Sequence, residues 1–278
     1  SLRRLGTDYM DLYQIHWSNP VVPISETMGA LQDLVTQGKI REVGVCNISY
    51  DELLQYQEEL STSRIISLQS EYNLYERTAE YTGLLNDCIN DDVTFMAYSP
   101  LDQGRLTSLS SNRSNLLEEI SNKYQKSIAQ IVLKWVISKP GVSAIVSTSS
   151  PKHLVENATV LNFDLLQHDI DSIDMEFHEE LIHVETNEIR ISLNGEFNHS
   201  VYQTLEQALK NPYGFTPSPS DLAKTIKKGQ IIKPVRLVPS KAKSYQYDLI
   251  GGRVRYWAWV IAHEGKLPIP AYVRNDLA

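Results

Sequence analysis

Short apolar runs alternate with amphipathic stretches over roughly the first 160 residues of the chain. The runs are predicted to be strands because each is brief and rich in β-branched and aromatic residues, and they lie at 9–16, 42–46, 65–70, 93–98 and 142–147. Helical spacing of apolar residues marks the stretches between them, SETMGALQDLVTQGK, SYDELLQYQEEL, RTAEYTGLLNDCI and SNLLEEISNKYQKSIAQIVLKWVISK, and a further stretch at about 167–180. This alternation predicts an α/β fold of parallel strands and crossover helices, either a β/α barrel or a doubly wound sheet.

The first predicted helix carries ordinary capping residues at both ends. Ser25 is expected to cap its start and Gly38 to end it, and its apolar face would consist of Met28, Leu31, Leu34 and Val35. No Gly-x-Gly-x-x-Gly sequence follows a predicted strand, which disfavours the dinucleotide-binding doubly wound fold.

The pattern changes at about residue 183. NEIRISL, IKPVRLV and YQYDLI are predicted strands, and SVYQTLEQALKN is a predicted helix. A second helix should begin with Ser218 as its cap, Pro219 in first place and Asp221 in third, and end at Gly229. GGRVRYWAWVIAHEG is expected to turn into a third helix. The chain is thus predicted to contain two domains, 1–180 and a small α+β domain at 181–278.

The composition is that of a soluble globular protein. Of 278 residues, 42% are hydrophobic and 22% are charged, and the apolar runs are too short to predict a membrane span. Two cysteines, Cys46 and Cys88, do not form a disulfide framework, so a cytoplasmic location is expected, and no metal site is predicted. Because the chain starts with Ser1 in the middle of a pattern, we expect it to be a piece of a longer protein.

Charge is unevenly distributed along the chain. Residues 221–278 contain 11 Lys and Arg against 4 Asp and Glu, a balance of +7. The remainder of the chain then holds 15 basic and 30 acidic residues, a balance of −15. A basic C-terminal part favours phosphate-bearing ligands.

Polar or aromatic residues follow each strand predicted in the first domain. His16 ends the first strand, and the later strand ends read VGVCN, SLQSEYN, MAYSPL and AIVSTSSPKHLVEN. In a parallel barrel these ends meet at one face, where function is found. A single histidine beside a tryptophan is more often structural, so His16 gains weight only from the other strand ends.

These motifs resemble those of the aldo-keto reductases. LGTDYMDLYQIHW, ALQDLVTQGKIREVGVCNIS, LQSEYNLYER, MAYSPLDQGRL and STSSPKHLVEN occur in the family's order over residues 1 to about 175. The resemblance implies the second half of a (β/α)8 TIM barrel, from strand four onward. It also implies an oxidoreductase that reduces small carbonyl compounds, or oxidises alcohols, with NADP or NAD.

The same resemblance implies a nicotinamide site at the strand ends. His16 matches the histidine of the family's catalytic tetrad, which orients the carbonyl. Cys46 and Asn47 stand where the family usually has a Ser-Asn pair holding the nicotinamide carboxamide, and Gln69 matches a glutamine that contacts the same group. Tyr98 matches the aromatic residue that stacks under the nicotinamide ring.

Two further groups match cofactor-binding positions. The loop over the pyrophosphate would contribute Ser99, Leu101, Gly104 and Arg105. The adenosine end would be held by Ser147, Thr148, Ser149, His153, Glu156 and Asn157. Hydroxyls and backbone N–H groups before a helix do suit a phosphate, although an ordinary cap before Pro151 explains the same residues. His153 and Ser147 replace the arginine and lysine common in NADP-preferring members, so both NADP and NAD remain open.

The resemblance places three of the tetrad residues, an aspartate, a tyrosine and a lysine, before strand four. This chain alone is therefore expected to be inactive, with the N-terminal half of the barrel as its missing partner. An open five-stranded sheet would also expose unpaired edges.

Residues 185–278 resemble the N-terminal domain of ParB partition proteins and the related sulfiredoxins. The resemblance depends on a helix, the G-Q-I-I-K-P strand, YDLIGG and a helix opened by arginine. Phosphate binding by Gly251, Gly252, Arg253 and Arg255 is expected, with CTP or ATP as the nucleotide. Arg253 stands where sulfiredoxins need cysteine, which disfavours their chemistry. A solvated basic helix start is the competing interpretation.

The favoured hypothesis is an NAD(P)H-linked aldo-keto reductase fused to a ParB-like nucleotide-binding domain. The alternative is a non-catalytic regulatory protein that binds nucleotides or nucleic acid and uses a degenerate barrel as a scaffold. Nucleic-acid binding has the weaker support because no recognition helix or stacking platform is evident.

Overall fold

The chain divides into two compact units, Ser1–His178 and Glu179–Ala278. The computed structural model describes residues 1–19, 21–107, 112–191, 202–215, 217–229 and 232–274. Among these residues, no helix is long and apolar enough to cross a membrane.

Unit 1 is built on a parallel sheet of five strands in sequence order. The strands are β1 (Met10–Ile15), β2 (Ile40–Cys46), β3 (Ile65–Glu71), β4 (Thr94–Tyr98) and β5 (Val142–Ala144). Each strand pairs with the next in the sequence, with Gln14 opposite Gly44 and Gly44 opposite Ser67. All five predicted strands are confirmed, although β5 is three residues shorter than expected.

Helices connect and cover these strands. They are α1 (Leu2–Leu5), α2 (Ile24–Thr36), α3 (Tyr50–Glu58), α4 (Thr78–Tyr81), α5 (Leu84–Asn90), α6 (Asn112–Tyr124), α7 (Ile128–Ser138), α8 (Pro151–Ala158) and α9 (Gln167–Glu176). Residues Asp102–Thr107 follow β4 as 3-10 turns interrupted by a kink at Gln103 and Gly104.

Two long predicted helices are each broken into two. Gly83, with φ +79°, separates α4 from α5. Gln125, with φ +53°, precedes Ser127, whose capping box with Gln130 starts α7. A left-handed backbone ends one helix and the new cap starts the next, so a continuous apolar pattern does not guarantee a continuous helix.

The start of α2 corrects the Ser25 prediction, whereas its end confirms the Gly38 prediction. The cap position is Pro23, with φ −55°, and no side chain bonds to the helix start there. Proline has a φ value that suits a helix start, so the cap lies two residues ahead of Ser25 and the helix begins at Ile24. Gly38, with φ +66°, follows the last helical residues as expected.

The two faces of the unit 1 sheet differ in polarity. Val43, Val45, Leu68, Phe95 and Ala97 are essentially buried in the core that the helices cover. Alternation along the strands puts a second set on the opposite face, here named the polar face: Gln14, Gly44, Ser67, Gln69, Met96 and Tyr98. Polar side chains therefore line the face of the sheet opposite the helix-covered core, up to the strand ends.

In its described part, unit 2 combines a mixed sheet with three α-helices. Its strands are β6 (Leu181–Val184), β7 (Ile189–Arg190), β8 (Val235–Pro239), β9 (Tyr247–Gly251) and β10 (Ile269–Val273), in the order β6-β10-β8-β9-β7. Its helices are α10 (Leu205–Lys210), α11 (Pro219–Lys227) and α12 (Arg253–His263). The parts of the predicted strand and helix that fall within 192–201 lie outside the described residues.

The sequence predicted the start of α11 but missed two strands. Ser218 Oγ accepts a hydrogen bond from the backbone N–H of Asp221, which confirms the predicted capping box. β6 and β10 were not predicted. Pro268 and Pro270 disfavour a strand locally, since proline has no N–H to donate to a sheet, yet β10 pairs with both β6 and β8.

Candidate functional site

Hydrogen bonds connect the ends of strands β1 to β4. Asn47 Nδ2 donates to the backbone oxygen of His16 at 3.2 Å, and the Tyr98 hydroxyl donates to Asn47 Oδ1 at 3.0 Å. The backbone N–H of Asn47 donates to the backbone oxygen of Gln69 at 2.8 Å. The structure thus brings together His16, Asn47, Gln69 and Tyr98, all singled out by sequence, at one edge of the sheet.

Asn47 is the centre of this group. Its φ of +59° is left-handed, a conformation that asparagine adopts more readily than most residues. Because Tyr98 donates to its oxygen and its nitrogen donates to the backbone of residue 16, both ends of the amide are oriented. An amide has two N–H donors and two acceptor lone pairs, so Asn47 retains capacity for a ligand.

The imidazole of His16 is exposed at the end of β1. Its ring lies beside that of Trp17, with the two centroids 5.8 Å apart, and 51% of the Trp17 surface is exposed. The backbone oxygen of His16 is hydrogen-bonded to Asn47, whereas its side chain makes the ring contact with Trp17 and is open to solvent. A ligand at this edge can therefore reach the imidazole.

Cys46 lies next to this group but has a different chemical character. The residue is buried, and burial raises the pKa of its thiol to about 11, so the thiol is neutral at physiological pH. Burial likewise raises the pKa of Cys88 to about 12. Neither thiol is suited to act as a nucleophile, because the thiolate is the reactive form.

The loop after β4 has an unusual backbone. Ser99, Asp102 and Gln103 have φ between +48° and +56°, and Gly104 has φ +88°. Left-handed residues other than glycine carry strain, and such strain clusters at ligand-binding segments. Asn73 Nδ2 supports the loop by donating to the backbone oxygen of Ser99 at 3.0 Å.

Two of the predicted pyrophosphate residues are already engaged in this loop. Arg105 Nε donates to Asp102 Oδ2 at 2.9 Å and Arg105 Nη2 to Asp102 Oδ1 at 2.5 Å, and Asp102 is 1% exposed. Leu101 packs against the hydrophobic core. Arg105 is thus held in place by a buried carboxylate, and sequence reasoning did not identify Asp102 as its partner.

The helix start that was expected to hold adenosine has its own cap. Ser150 Oγ accepts from the backbone N–H of His153 at 3.4 Å, and Thr148 Oγ1 accepts from the N–H of Ser150 at 3.1 Å. The competing interpretation, an ordinary cap, therefore holds for Ser150. Ser147 and Ser149 are exposed, as is the His153 side chain.

The last turn of α8 holds the two remaining predicted residues of this group. Glu156 lies 3.7 Å from Lys152 in an ion pair, and its backbone oxygen accepts from Gln130 Nε2. Asn157 is buried, at 9% exposure. The structure places both residues one to two turns after the capped helix start.

Three side chains below the strand ends were missed by sequence reasoning. Gln14 Oε1 accepts from Gln69 Nε2 at 2.8 Å, and Gln14 Nε2 donates to Ser67 Oγ and to Met96 Sδ. Strand alternation could have identified them, because residues 14, 67, 69 and 96 fall on one face once the strand register is known.

In unit 2, the Gly-Gly turn between β9 and α12 is closely packed. Gly252 has φ +89°, and a Cβ atom there would lie 3.1 Å from Arg255 Nη2 and 3.2 Å from Val235 Cγ1. Arg255 Nη1 donates to the backbone oxygen of Pro234 at 3.3 Å. Burial lowers the pKa of Arg253. The structure therefore brings Arg255 against the turn, where the sequence predicted a phosphate contact.

Comparison with known proteins places the first 175 residues in a single family. They match the model of the aldo/keto reductase family. The chain is 38% identical over 175 residues to methylglyoxal reductase YeaE of Escherichia coli, covering 63% of this chain and 61% of the relative. It is 34% identical to glyoxal reductase of Bacillus subtilis over 63% of this chain and 59% of the relative. The chain thus spans about six tenths of the length of these relatives.

Solved structures of the same family share the fold. The thermostable aldo-keto reductase Tm1743, in complex with epalrestat, is 38% identical with a TM-score of 0.60, over 63% of this chain and 62% of that one. An aldo-keto reductase from Klebsiella pneumoniae in complex with NADPH is 34% identical with a TM-score of 0.57, over 63% and 61%. The parallel sheet of unit 1 therefore has the (β/α)-barrel type of fold. Since the family model covers well over half of the chain, this protein belongs to the aldo/keto reductase family.

Proposed function

We propose that this protein is part of an NAD(P)H-dependent oxidoreductase that reduces small carbonyl compounds. The observation that carries the proposal is the hydrogen-bonded group of His16, Asn47, Gln69 and Tyr98 at four successive strand ends. The names of relatives support it, since two are a methylglyoxal and a glyoxal reductase. Two Klebsiella pneumoniae relatives were solved with NADPH or with NADP and acetate.

Each residue of the group has a distinct proposed task. The bound nicotinamide would supply the hydride that adds to the carbonyl carbon. Asn47 and Gln69 would hold the nicotinamide carboxamide, and the Tyr98 ring would cover one face of the nicotinamide, leaving the other open to substrate. His16 would donate a hydrogen bond to the carbonyl oxygen and so orient it.

The rest of the cofactor would follow the edge of the sheet. The loop of Ser99, Leu101 and Gly104 would lie over the pyrophosphate. A guanidinium has five N–H donors, so Arg105 can bind Asp102 and a phosphate at once. Exposed hydroxyls and the helix start would hold the adenosine end, through Ser147, Thr148, Ser149, His153, Glu156 and Asn157.

Cofactor binding can be tested with the full chain. NADPH is titrated by fluorescence against the parent protein and Tyr98→Ala, with Tyr13→Ala as a control on the same sheet. Tyr13 projects to the other side of β1, so its loss should leave affinity unchanged. Loss of the stack should weaken binding by about 1 kcal/mol. Equal affinity in Tyr98→Ala would exclude the stacking role.

Residues 1–278 are expected to bind the cofactor without catalysing the reduction of a carbonyl substrate. His16 is the tetrad member that the resemblance identifies here, and the tyrosine that would protonate the carbonyl oxygen is not matched by any residue of this chain. We therefore propose that the chain alone binds the cofactor but does not oxidise NADPH with methylglyoxal. If the parent chain does oxidise NADPH with methylglyoxal and His16→Ala abolishes this activity, the site is complete without the tyrosine and this proposal is wrong.

A second candidate function concerns unit 2, which we propose to be a ParB-like domain that binds a nucleotide. The observation that favours it is the approach of the Arg255 guanidinium to Gly252 at the start of α12, two residues from Arg253. Calorimetry with CTP, ATP and NADP can test the full chain. Arg255→Ala should abolish binding, whereas the exposed Lys241→Ala, with the same charge loss, should not. Equal losses would indicate a generic basic patch.

A further inference from the structure

The side chain of a glutamine on β1 crosses β2 through a gap left by glycine and contacts side chains on β3 and β4. Gln14 on β1 is opposite Gly44 on β2, which is opposite Ser67 on β3. A Cβ atom at Gly44 would lie 2.3 Å from Ser67 Oγ and 2.8 Å from Gln14 Cγ. Any other residue at position 44 would fill this space. Gly44 therefore allows the Gln14 side chain to pass over β2 and reach β3 and β4.

The Gln14 amide contacts three side chains on the far side of this gap. Its Nε2 donates to Ser67 Oγ at 3.1 Å and to Met96 Sδ at 3.5 Å. Its Oε1 accepts from Gln69 Nε2 at 2.8 Å. Gln69 and Met96 are neighbours on β3 and β4. The amide of Gln14 is thus joined directly to the amide of Gln69.

The thioether of Met96 decides which way both amides point. A thioether can accept a hydrogen bond but has no proton to donate, whereas the Ser67 hydroxyl can do either. Exchanging N and O in Gln14 would bring two acceptors together at Met96. With Gln14 Oε1 directed at Gln69, Gln69 must present its Nε2 to Gln14. The Gln69 oxygen is then the amide atom that points away from Gln14.

We propose that Gln14 is a positioning residue that makes the nicotinamide site selective for a carboxamide. It holds Gln69 with its oxygen as the acceptor for a ligand N–H. A carboxamide supplies that N–H, whereas an acetyl group of nearly the same shape does not. The inference depends on the proposed function, in which Gln69 contacts the nicotinamide.

The test compares three ligands on the full chain by calorimetry. These are NADP, its 3-acetylpyridine analogue, and 2′-phospho-ADP-ribose, which lacks the ring. The parent protein should bind NADP about fivefold more tightly than the analogue, the effect of one hydrogen bond. In Gln14→Leu this ratio should fall to about one, with binding of 2′-phospho-ADP-ribose unchanged.

Gln14→Glu is the matched rescue variant. A carboxylate can only accept, so Gln69 still donates to position 14 and the ratio should remain near fivefold. Met96→Leu gives a second test with Gln14 intact, even if Gln14→Leu fails to fold. Without the sulfur, the amides of Gln14 and Gln69 can both exchange the positions of their nitrogen and oxygen atoms. The ratio of NADP affinity to analogue affinity should then fall.

The outcomes separate this inference from the proposed function. If the parent binds NADP with the expected ratio and both Gln14→Leu and Met96→Leu retain it, Gln14 does not orient Gln69 and the inference is overturned. If the parent binds neither NADP nor 2′-phospho-ADP-ribose, the proposed function itself fails and takes the inference with it.

Discussion

Replacing Gly44 with alanine should destabilise unit 1, although alanine is normally the better residue for an ordered backbone. Alanine would gain about 0.5–1 kcal/mol because it loses less backbone entropy than glycine on folding. Its Cβ would, however, lie 2.3 Å from Ser67 Oγ and 2.8 Å from Gln14 Cγ. Overpacking of this kind costs about 1–3 kcal/mol.

The loss of two hydrogen bonds adds to this cost. Displacing Gln14 breaks its bonds to Ser67 and Gln69, each worth about 0.5–1.5 kcal/mol. The net expectation for Gly44→Ala, after subtracting the gain from alanine, is a loss of about 1–5.5 kcal/mol in the free energy of unfolding. Urea unfolding followed by fluorescence can measure it, with separate transitions fitted for the two units.

Gly29 provides a control with the opposite sign. It lies in α2, and a Cβ atom there would meet nothing within 4 Å. Gly29→Ala should therefore raise the free energy of unfolding by about 0.5–1 kcal/mol. Two Gly→Ala changes in the same unit are thus expected to act in opposite directions, because the space around each Cβ differs.

A double-mutant cycle identifies the cause. Ser67→Ala removes the oxygen nearest the new Cβ, so Gly44→Ala should cost at least about 1 kcal/mol less in that background than in the parent. Additive effects of the two substitutions would refute the steric explanation, as would a Gly44→Ala protein that is as stable as the parent.

Two further predictions concern single hydrogen-bonding groups. Tyr98→Phe keeps the ring but removes the bond to Asn47, so NADPH affinity should fall roughly fivefold, and unchanged affinity in a titration would contradict the role of the hydroxyl. The bidentate bond from Arg190, against the opposing effect of burial, holds the pKa of the Asp248 carboxyl below its usual value. A lowered folded-state pKa stabilises unit 2 above the unfolded-state pKa near 4, and this stability should be lost as the pH falls from about 5 to 2. Unfolding curves of Asp248→Asn should depend less on pH in that range than those of the parent.

Much of the fold could be predicted because its signals are local. The strands of unit 1 were readable from short apolar runs between helical patterns. The cap of α11 was readable because Ser218 and Asp221 stand three residues apart, the spacing that closes a capping box. The pattern also predicted that the ends of these parallel strands share one edge of the sheet, and the resemblance to the aldo-keto reductases then singled out His16, Asn47, Gln69 and Tyr98 at that edge.

Local patterns failed where a distant neighbour decides the structure. β10 contains Pro270, which taken locally argues against a strand, yet pairing with β6 and β8 places it inside the sheet. Ser25 was a reasonable cap by type, but Pro23 started the helix earlier.

The side chains beneath the strand ends show this dependence most clearly. Sequence alone determined that Gln14 and Gly44 each belong to a strand, but not that one reaches across the other. Gln14 and Met96 are 82 residues apart, and a shift of one residue in strand register would turn their side chains to opposite faces. Only the tertiary structure decided that register, because it depends on packing of the buried face against the helices and not on any local pattern.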